Sequence, residues 1–220
     1  MIYLSHILDE NTPTYGNRNK FSIERKSDIA NGDIANDSFI SSTVHIGTHI
    51  DMPYHFYGEG QTIENYSADF WSFKKILFLD IKSTSLIIGE ELISLLTNIE
   101  DIGYELLIVK TGICESRNSK EFWNENYGFH PDIASYLRDK FTDIRVFGFD
   151  SISVSSFQER KLGRESHKAF LNPQNSILLL EDMDLRNINQ NTKFKEIIIS
   201  PLRISKCDGL PCTIIGKLND

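Results

Sequence analysis

The chain has 220 residues, of which 40% are hydrophobic and 25% charged, enough apolar area for one ordinary core without covalent staples. A net charge of −8 repels phosphate on average and argues against nucleic acid as a main partner. The three cysteines, Cys114, Cys207 and Cys212, are odd in number and form no Cys-x-x-Cys pair, so neither a disulfide framework nor a thiolate zinc site is expected.

The opening residues, MIYLSHILDENTP, lack the basic start and apolar run of a signal peptide. No later stretch is apolar over the ~20 residues that a membrane-spanning helix needs. Together with reduced thiols, this predicts a cytoplasmic protein without membrane contact. No low-complexity tract, linker or repeat divides the chain, so a single domain over residues 1–220 is expected.

The strand candidates begin with DSFISSTVHI (37–46), from its β-branched content and partial alternation. KILFLDIK (75–82), ELLIVKT (105–111), IRVFGFD (144–150), SILLLE (176–181) and KEIIISPL (195–202) follow as compact apolar runs. Helices are predicted between them. GEELISLLTNI (89–99) repeats apolar residues at three- and four-residue spacing. HPDIASYLRDKF (130–141) places Pro131 at its start and Ile133, Tyr136, Leu137 and Phe141 on one face. ERKLGRESHK (159–168) interleaves charges of both signs and reads as a solvated loop or helix start. The fold class expected is α+β, or mixed α/β, with a central β-sheet core and flanking helices.

One segment stands apart. HIGTHIDMPYH (45–55) holds His45, His49, Asp51 and His55, whereas six histidines spread evenly would place about 0.3 in such a window. A helix is disfavoured by Pro53, by Gly47 and by the β-branched Thr43, Val44 and Thr48. A straight strand puts all four side chains on one face but holds His45 and His49 about 13 Å apart, too far for the ~2.0–2.2 Å bonds of one ion. The remaining solution is a strand ending at His45, a turn at Gly47-Thr48, and a return that aims His49 and Asp51 at the same point. Nitrogen and oxygen donors in this mixture suit Zn²⁺ or Mn²⁺. Three protein ligands leave a place for water, whose pKa a cation lowers to roughly 7–9. His55 is either a further ligand or the base beside that water. For one histidine alone, a hydrogen bond in a polar loop is the plainer reading.

His45-x-Gly47-Thr48-His49-x-Asp51-x-Pro53-x-His55, followed by Phe56, resembles the signature of the cyclase-like metal-dependent hydrolases, a family that includes bacterial kynurenine formamidase and isatin hydrolase. LSHILDENTPTYG (4–16), IVKTG (108–112), FGFDSISV (147–154), SHKAFL through ILLLEDMDL (166–185) and SPLRISKCDGLPC (200–212) resemble its other segments in order and spacing. The resemblance implies a swivelling β/β/α-like fold, a site of one or two divalent ions and a homodimer or larger homo-oligomer. It implies His45, His49 and Asp51 as the near ligands, with Asp51 able to bridge two ions, His167 and Glu181 as the distant ones, and His55 as the acid/base. Tyr15 stands where formamidases carry a substrate-lining aromatic. The His167–Glu181 separation of fourteen is about two longer than usual, which an extra NPQN turn explains if both ends stay fixed. Tyr15-Gly16-Asn17 replaces the usual aromatic-Pro-Gly.

The activity expected is hydrolysis of an amide in a small molecule, an arylformamide such as N-formylkynurenine or a cyclic amide. His55 would move the proton from water to the leaving nitrogen. Tyr15 and the segment FWSF (70–73) are candidates to stack on a ring, the latter equally readable as core. The alternatives are a metal-dependent lyase or cyclase acting on a carbonyl substrate, and a non-catalytic metal-binding protein. No Gly-x-Ser-x-Gly elbow and no phosphate-binding glycine loop occurs, so serine hydrolysis and nucleotide cofactors are not implied.

Overall fold

A computed structural model describes residues 1–219. In chain order the strands are β1 (Ile2–Tyr3), β2 (Ser22–Ser27), β3 (Asp37–Ser41), β4 (His49–Asp51), β5 (Ser72–Phe73), β6 (Ile76–Asp80), β7 (Ile87–Ile88), β8 (Leu106–Lys110), β9 (Gly128–Phe129), β10 (Val146–Phe149), β11 (Leu178–Glu181), β12 (Phe194–Pro201) and β13 (Gly209–Leu218). The α-helices are α1 (Glu90–Thr97), α2 (Lys120–Asn124), α3 (Asp132–Lys140) and α4 (Arg160–Phe170).

Nine strands form one mixed sheet in the order β5-β12-β13-β4-β11-β10-β8-β6, with β1 added on β13. β6, β8, β10 and β11 run parallel, which requires helical crossovers, and α1, α3 and α4 supply them. Strands covered on both faces are apolar throughout, hence the uninterrupted LLIV of β8 and VFGF of β10, all buried. β4, β12, β13 and β5 form the antiparallel half. The two ends of the sheet, β5 and β6, are separated only by Lys74 and Lys75, so the sheet curls almost into a barrel. This is the mixed α/β class expected, with few helices flanking a large sheet.

Helix α1 buries Leu92 and Leu96, and α3 buries Ile133, Ala134 and Leu137. Both follow the predicted periodicity. Phe129, Phe147, Phe149 and Phe170 pack edge to face and stacked at the centre of the core.

Two expectations are corrected, and one open alternative is decided. The strand over 37–46 stops at Ser41, and the strand near the motif follows the turn instead of preceding it, since His49–Asp51 form β4. ERKLGRESHK is helical, and its α4 face of Gly163, Ser166 and His167 is buried. Phe73 is fully buried and Trp71 nearly so, with Phe70 packed against them, so FWSF is core. No helix among the described residues is long and apolar enough to cross a membrane, and all three cysteines are free.

Candidate metal centre

The central strand β4 builds the site. It pairs antiparallel with β11 on one side, placing Glu181 opposite His49, and with β13 on the other, placing Gly209 opposite Asp51. Alternation along β4 puts His49 and Asp51 on one face and Ile50 in the core. Gly47 makes the predicted bend with φ of +55°, and a Cβ there would lie 2.2 Å from Leu8 Cδ2. The tight turn also returns the Gly47 carbonyl to His49, whose Nδ1–H donates to it at 2.7 Å. That fixes His49 Nε2 as the atom facing inward. On α4, His167 Nδ1–H donates to the Gly163 carbonyl at 2.8 Å with the same consequence. A turn over 172–175 joins α4 to β11, and both His167 and Glu181 enter the site.

Four buried side chains therefore converge: His49, Asp51, His167 and Glu181. His49 Nε2 lies 3.4 Å from Asp51 Oδ1 and 3.4 Å from Glu181 Oε2. His167 Nε2 lies 3.4 Å from Asp51 Oδ2 and 3.9 Å from Glu181 Oε1. Each carboxylate thus turns one oxygen to His49 and the other to His167. Donors sharing one ion through ~2.0–2.2 Å bonds at tetrahedral angles stand about 3.3–3.6 Å apart. Three of the four separations match that spacing better than hydrogen bonding. Asp51 Oδ2 is buried with no hydrogen-bond partner, an arrangement that a cation relieves. Residue types, spacing and the orphaned oxygen all fit divalent metal.

Electrostatics point the same way. Burial pushes the Glu181 carboxyl well above the usual range, and the Asp51 carboxylate beside it adds to the rise. Burial opposes charge on Asp51 too, but His45, His167 and His49 hold its carboxyl well below the usual range. Two adjacent buried carboxyls cannot both carry charge cheaply, and a cation between them stabilises both as carboxylates.

His45 stands beside Asp51 but outside the buried quartet. Its Nδ1 approaches Asp51 Oδ1 at 2.8 Å, while its Nε2 approaches Asp208 Oδ2 at 2.8 Å. It groups with Asp51 and His55, whereas His49 groups with Asp51 and Glu181, and Asp51 belongs to both sets. Burial opposes charge on His45, yet Asp51 and Asp208 push its imidazole up to about 10. His55 sits beside it, ring centroids 4.1 Å apart, with Nδ1 2.9 Å from the same Asp208 oxygen.

These groups open onto a cavity of about 310 Å³ that Tyr15, Phe56, Ile152, Arg160 and Arg164 also line. Tyr15 donates to the Ser156 carbonyl at 3.3 Å and packs edge-on against Phe157, so its ring forms part of the wall. A larger cavity of about 880 Å³ beyond Thr48, lined by His6, Arg117 and Asp184, receives none of the predicted site residues. Elsewhere the His6 N–H donates to Thr48 Oγ1, and His130 Nδ1 accepts from Asp132 N–H at the start of α3. Asp150 accepts from the Thr111 and Gly112 amides and anchors that turn.

Sequence reasoning missed Asp208, Val154 and the two arginines. The Val154 N–H donates to Glu181 Oε1 at 2.7 Å and orients that carboxylate. Asp208 had one signal, an Asp-Gly pair in the closing segment, but nothing in its spacing pointed to histidines more than 150 positions away.

Fold and donor set together define a class, a mixed α/β protein whose sheet gathers imidazole and carboxylate donors suited to divalent cations. The chain belongs to the putative cyclase family, whose model matches residues 2–156. Kynurenine formamidase of Bacillus cereus is 28% identical over 221 residues, covering 96% of this chain and 93% of that protein. An isatin hydrolase bound to the product analogue thioisatinate superposes with a TM-score of 0.77 at 18% identity, covering 98% of this chain and 92% of the other. A predicted metal-dependent hydrolase from Bacillus stearothermophilus gives 0.74 at 22%, covering 98% and 96%. At such identities the structural likeness establishes the fold.

Proposed function

We propose that the protein is a metal-dependent hydrolase that opens a non-peptide amide bond in a small molecule, an arylformamide or a small cyclic amide. The observation that carries this is the buried quartet of His49, Asp51, His167 and Glu181, whose spacing suits ions and whose Asp51 Oδ2 has no hydrogen-bond partner. The kynurenine formamidase and isatin hydrolase relatives support the reaction class.

In this reading His49, Asp51, His167 and Glu181, with His45 beside them, would hold one or two divalent ions. Zn²⁺ suits the donors best and Mn²⁺ is the alternative. A cation bound there would supply polarisation of an amide carbonyl and a more acidic water. His55, held through Nδ1, keeps Nε2 free to take the water proton and return it to the leaving nitrogen, which departs poorly as an anion. Tyr15, Phe56 and Ile152 pack against a ring, and Arg160 and Arg164, exposed on α4, attract an acidic substituent at the mouth.

We further propose a single cytoplasmic domain that pairs as a homodimer. The β2–β3 hairpin supports pairing: it is exposed along almost its whole length and presents Ile23, Phe39 and Ile40 to solvent.

The test is an assay of protein purified without added metal, stripped and reloaded with Zn²⁺ or Mn²⁺, against formyl-aryl amines, cyclic imides and isatin-type rings. Turnover that appears only on reloading is the expected result. Stoichiometric metal without turnover on any of them would leave a binding protein.

A further inference from the structure

We infer that Asp208 is a positioning residue that orients the rings of His45 and His55 together and fixes the tautomer of His55, an inference that rests on the hydrolase reading above. A single oxygen, Asp208 Oδ2, lies 2.8 Å from His45 Nε2 and 2.9 Å from His55 Nδ1. A carboxylate oxygen only accepts, so both of those ring nitrogens carry hydrogen. A neutral imidazole has one N–H. The lone pair of a neutral His55 is therefore on Nε2, whereas His45 Nδ1 faces a second carboxylate oxygen, Asp51 Oδ1 at 2.8 Å, so both nitrogens of that ring carry hydrogen in this arrangement. His45 is thereby held against Asp51 and Asp208 together, and His55 is turned so that Nε2 can accept a proton. One carboxylate serves a ligand and a base at once.

The placement of Asp208 is rigid where it matters. Its carbonyl accepts from the Met52 N–H at 2.9 Å, which ties the start of β13 to the end of β4. The next residue, Gly209, opposes Asp51 in the ladder. A Cβ on Gly209 would lie 2.5 Å from His45 Cε1, so the imidazole lies directly against the backbone there. His45 and His55 are themselves in contact, with ring centroids 4.1 Å apart. The geometry thus confines both rings between β4 and β13 and gives them one common acceptor. A carboxylate behind a metal-binding histidine fixes ring orientation and raises ligand basicity, and its loss typically costs about 10–100-fold in metal affinity or activity.

The test compares wild type, Asp208→Ala and Asp208→Asn by ¹⁵N NMR of the imidazoles, by metal titration and by kinetics at saturating metal. In Asp208→Ala we expect His55 to shift toward the Nε2–H tautomer, metal affinity to fall about 10–100-fold, and kcat to fall with KM little changed. Asp208→Asn keeps the shape with a neutral acceptor, and losses of the same kind but smaller, about threefold, are expected. The Asp208 side chain is 41% exposed, so added acetate should restore part of the Asp208→Ala turnover while leaving wild type unaffected. Unchanged tautomers and unchanged affinity in folded Asp208→Ala overturn the inference. If that variant does not fold, wild-type metal affinity and wild-type turnover in Asp208→Asn overturn it equally. Absence of amide hydrolysis in metal-loaded wild type would defeat the proposed function alone, because tautomer and affinity still judge Asp208.

Discussion

Glu181 stands directly across from His49 in the antiparallel ladder of β4 and β11, and their side chains meet at 3.4 Å. A slip of one residue would turn Glu181 toward the opposite face and leave His49 facing Leu180 or Asp182. The metal centre is therefore coupled to sheet register. Cation binding should stabilise the fold, since a ligand at a hundred times its Kd adds about 2.7 kcal/mol. We expect calorimetry of stripped protein to show Tm rising on Zn²⁺ addition, and His49→Ala and Glu181→Ala each to lose most of that rise. An undiminished rise in both variants would put the ion elsewhere.

His55 lies outside the buried quartet, and its imidazole hydrogen-bonds to Asp208 through Nδ1. Its removal should affect proton transfer more than coordination. We expect His55→Ala to retain most of its metal by elemental analysis while turnover falls roughly 10²–10⁴-fold. A variant that purifies without metal would make His55 a ligand instead.

The strands that sequence located well are those buried on both faces, because LLIV of β8 and VFGF of β10 admit no other reading. The kinked motif was legible for a different reason: Pro53 and Gly47 exclude regular structure, and the donors still have to converge. His167 was not legible from its surroundings. It lies in a charged stretch with no apolar run, and only one face of α4, marked by Gly163 and Ser166, enters the protein. β13 was hidden by Pro211 and by the turn-forming Asp208-Gly209 at its start. The grouping of His45 with Asp208 joins residues 163 apart and depends on β4–β13 pairing, which no local pattern reveals.

Arg160 and Arg164 occupy successive turns of α4 and line the cavity that contains the donors. In a chain of net charge −8, cations at the mouth favour substrates carrying an acidic group. Arg164→Ala should raise KM for a carboxylate-bearing arylformamide several-fold, on the order of the 0.2–1 kcal/mol of an exposed pair, and leave KM for a neutral arylformamide unchanged. Equal effects on both substrates would assign Arg164 to packing.

Glu105 closes the seam where the sheet nearly meets itself. It accepts from the Lys74 and Lys75 amides at 2.9 and 3.2 Å and from Arg145 at 2.8 Å. Partial burial opposes its charge, but Arg145 and the two amides outweigh that and hold the carboxyl below its usual 4.5. A depressed carboxyl contributes stability that is present above the unfolded value and lost as pH falls through the folded one. Glu105→Gln should therefore cost about 1–2 kcal/mol at neutral pH, and the gap to wild type should narrow below about pH 4.5 as the native carboxylate is protonated. Urea unfolding of both proteins at neutral pH and near pH 3 measures this. A gap of the same size at both would mean that shape, and not charge, holds the seam between β5 and β6.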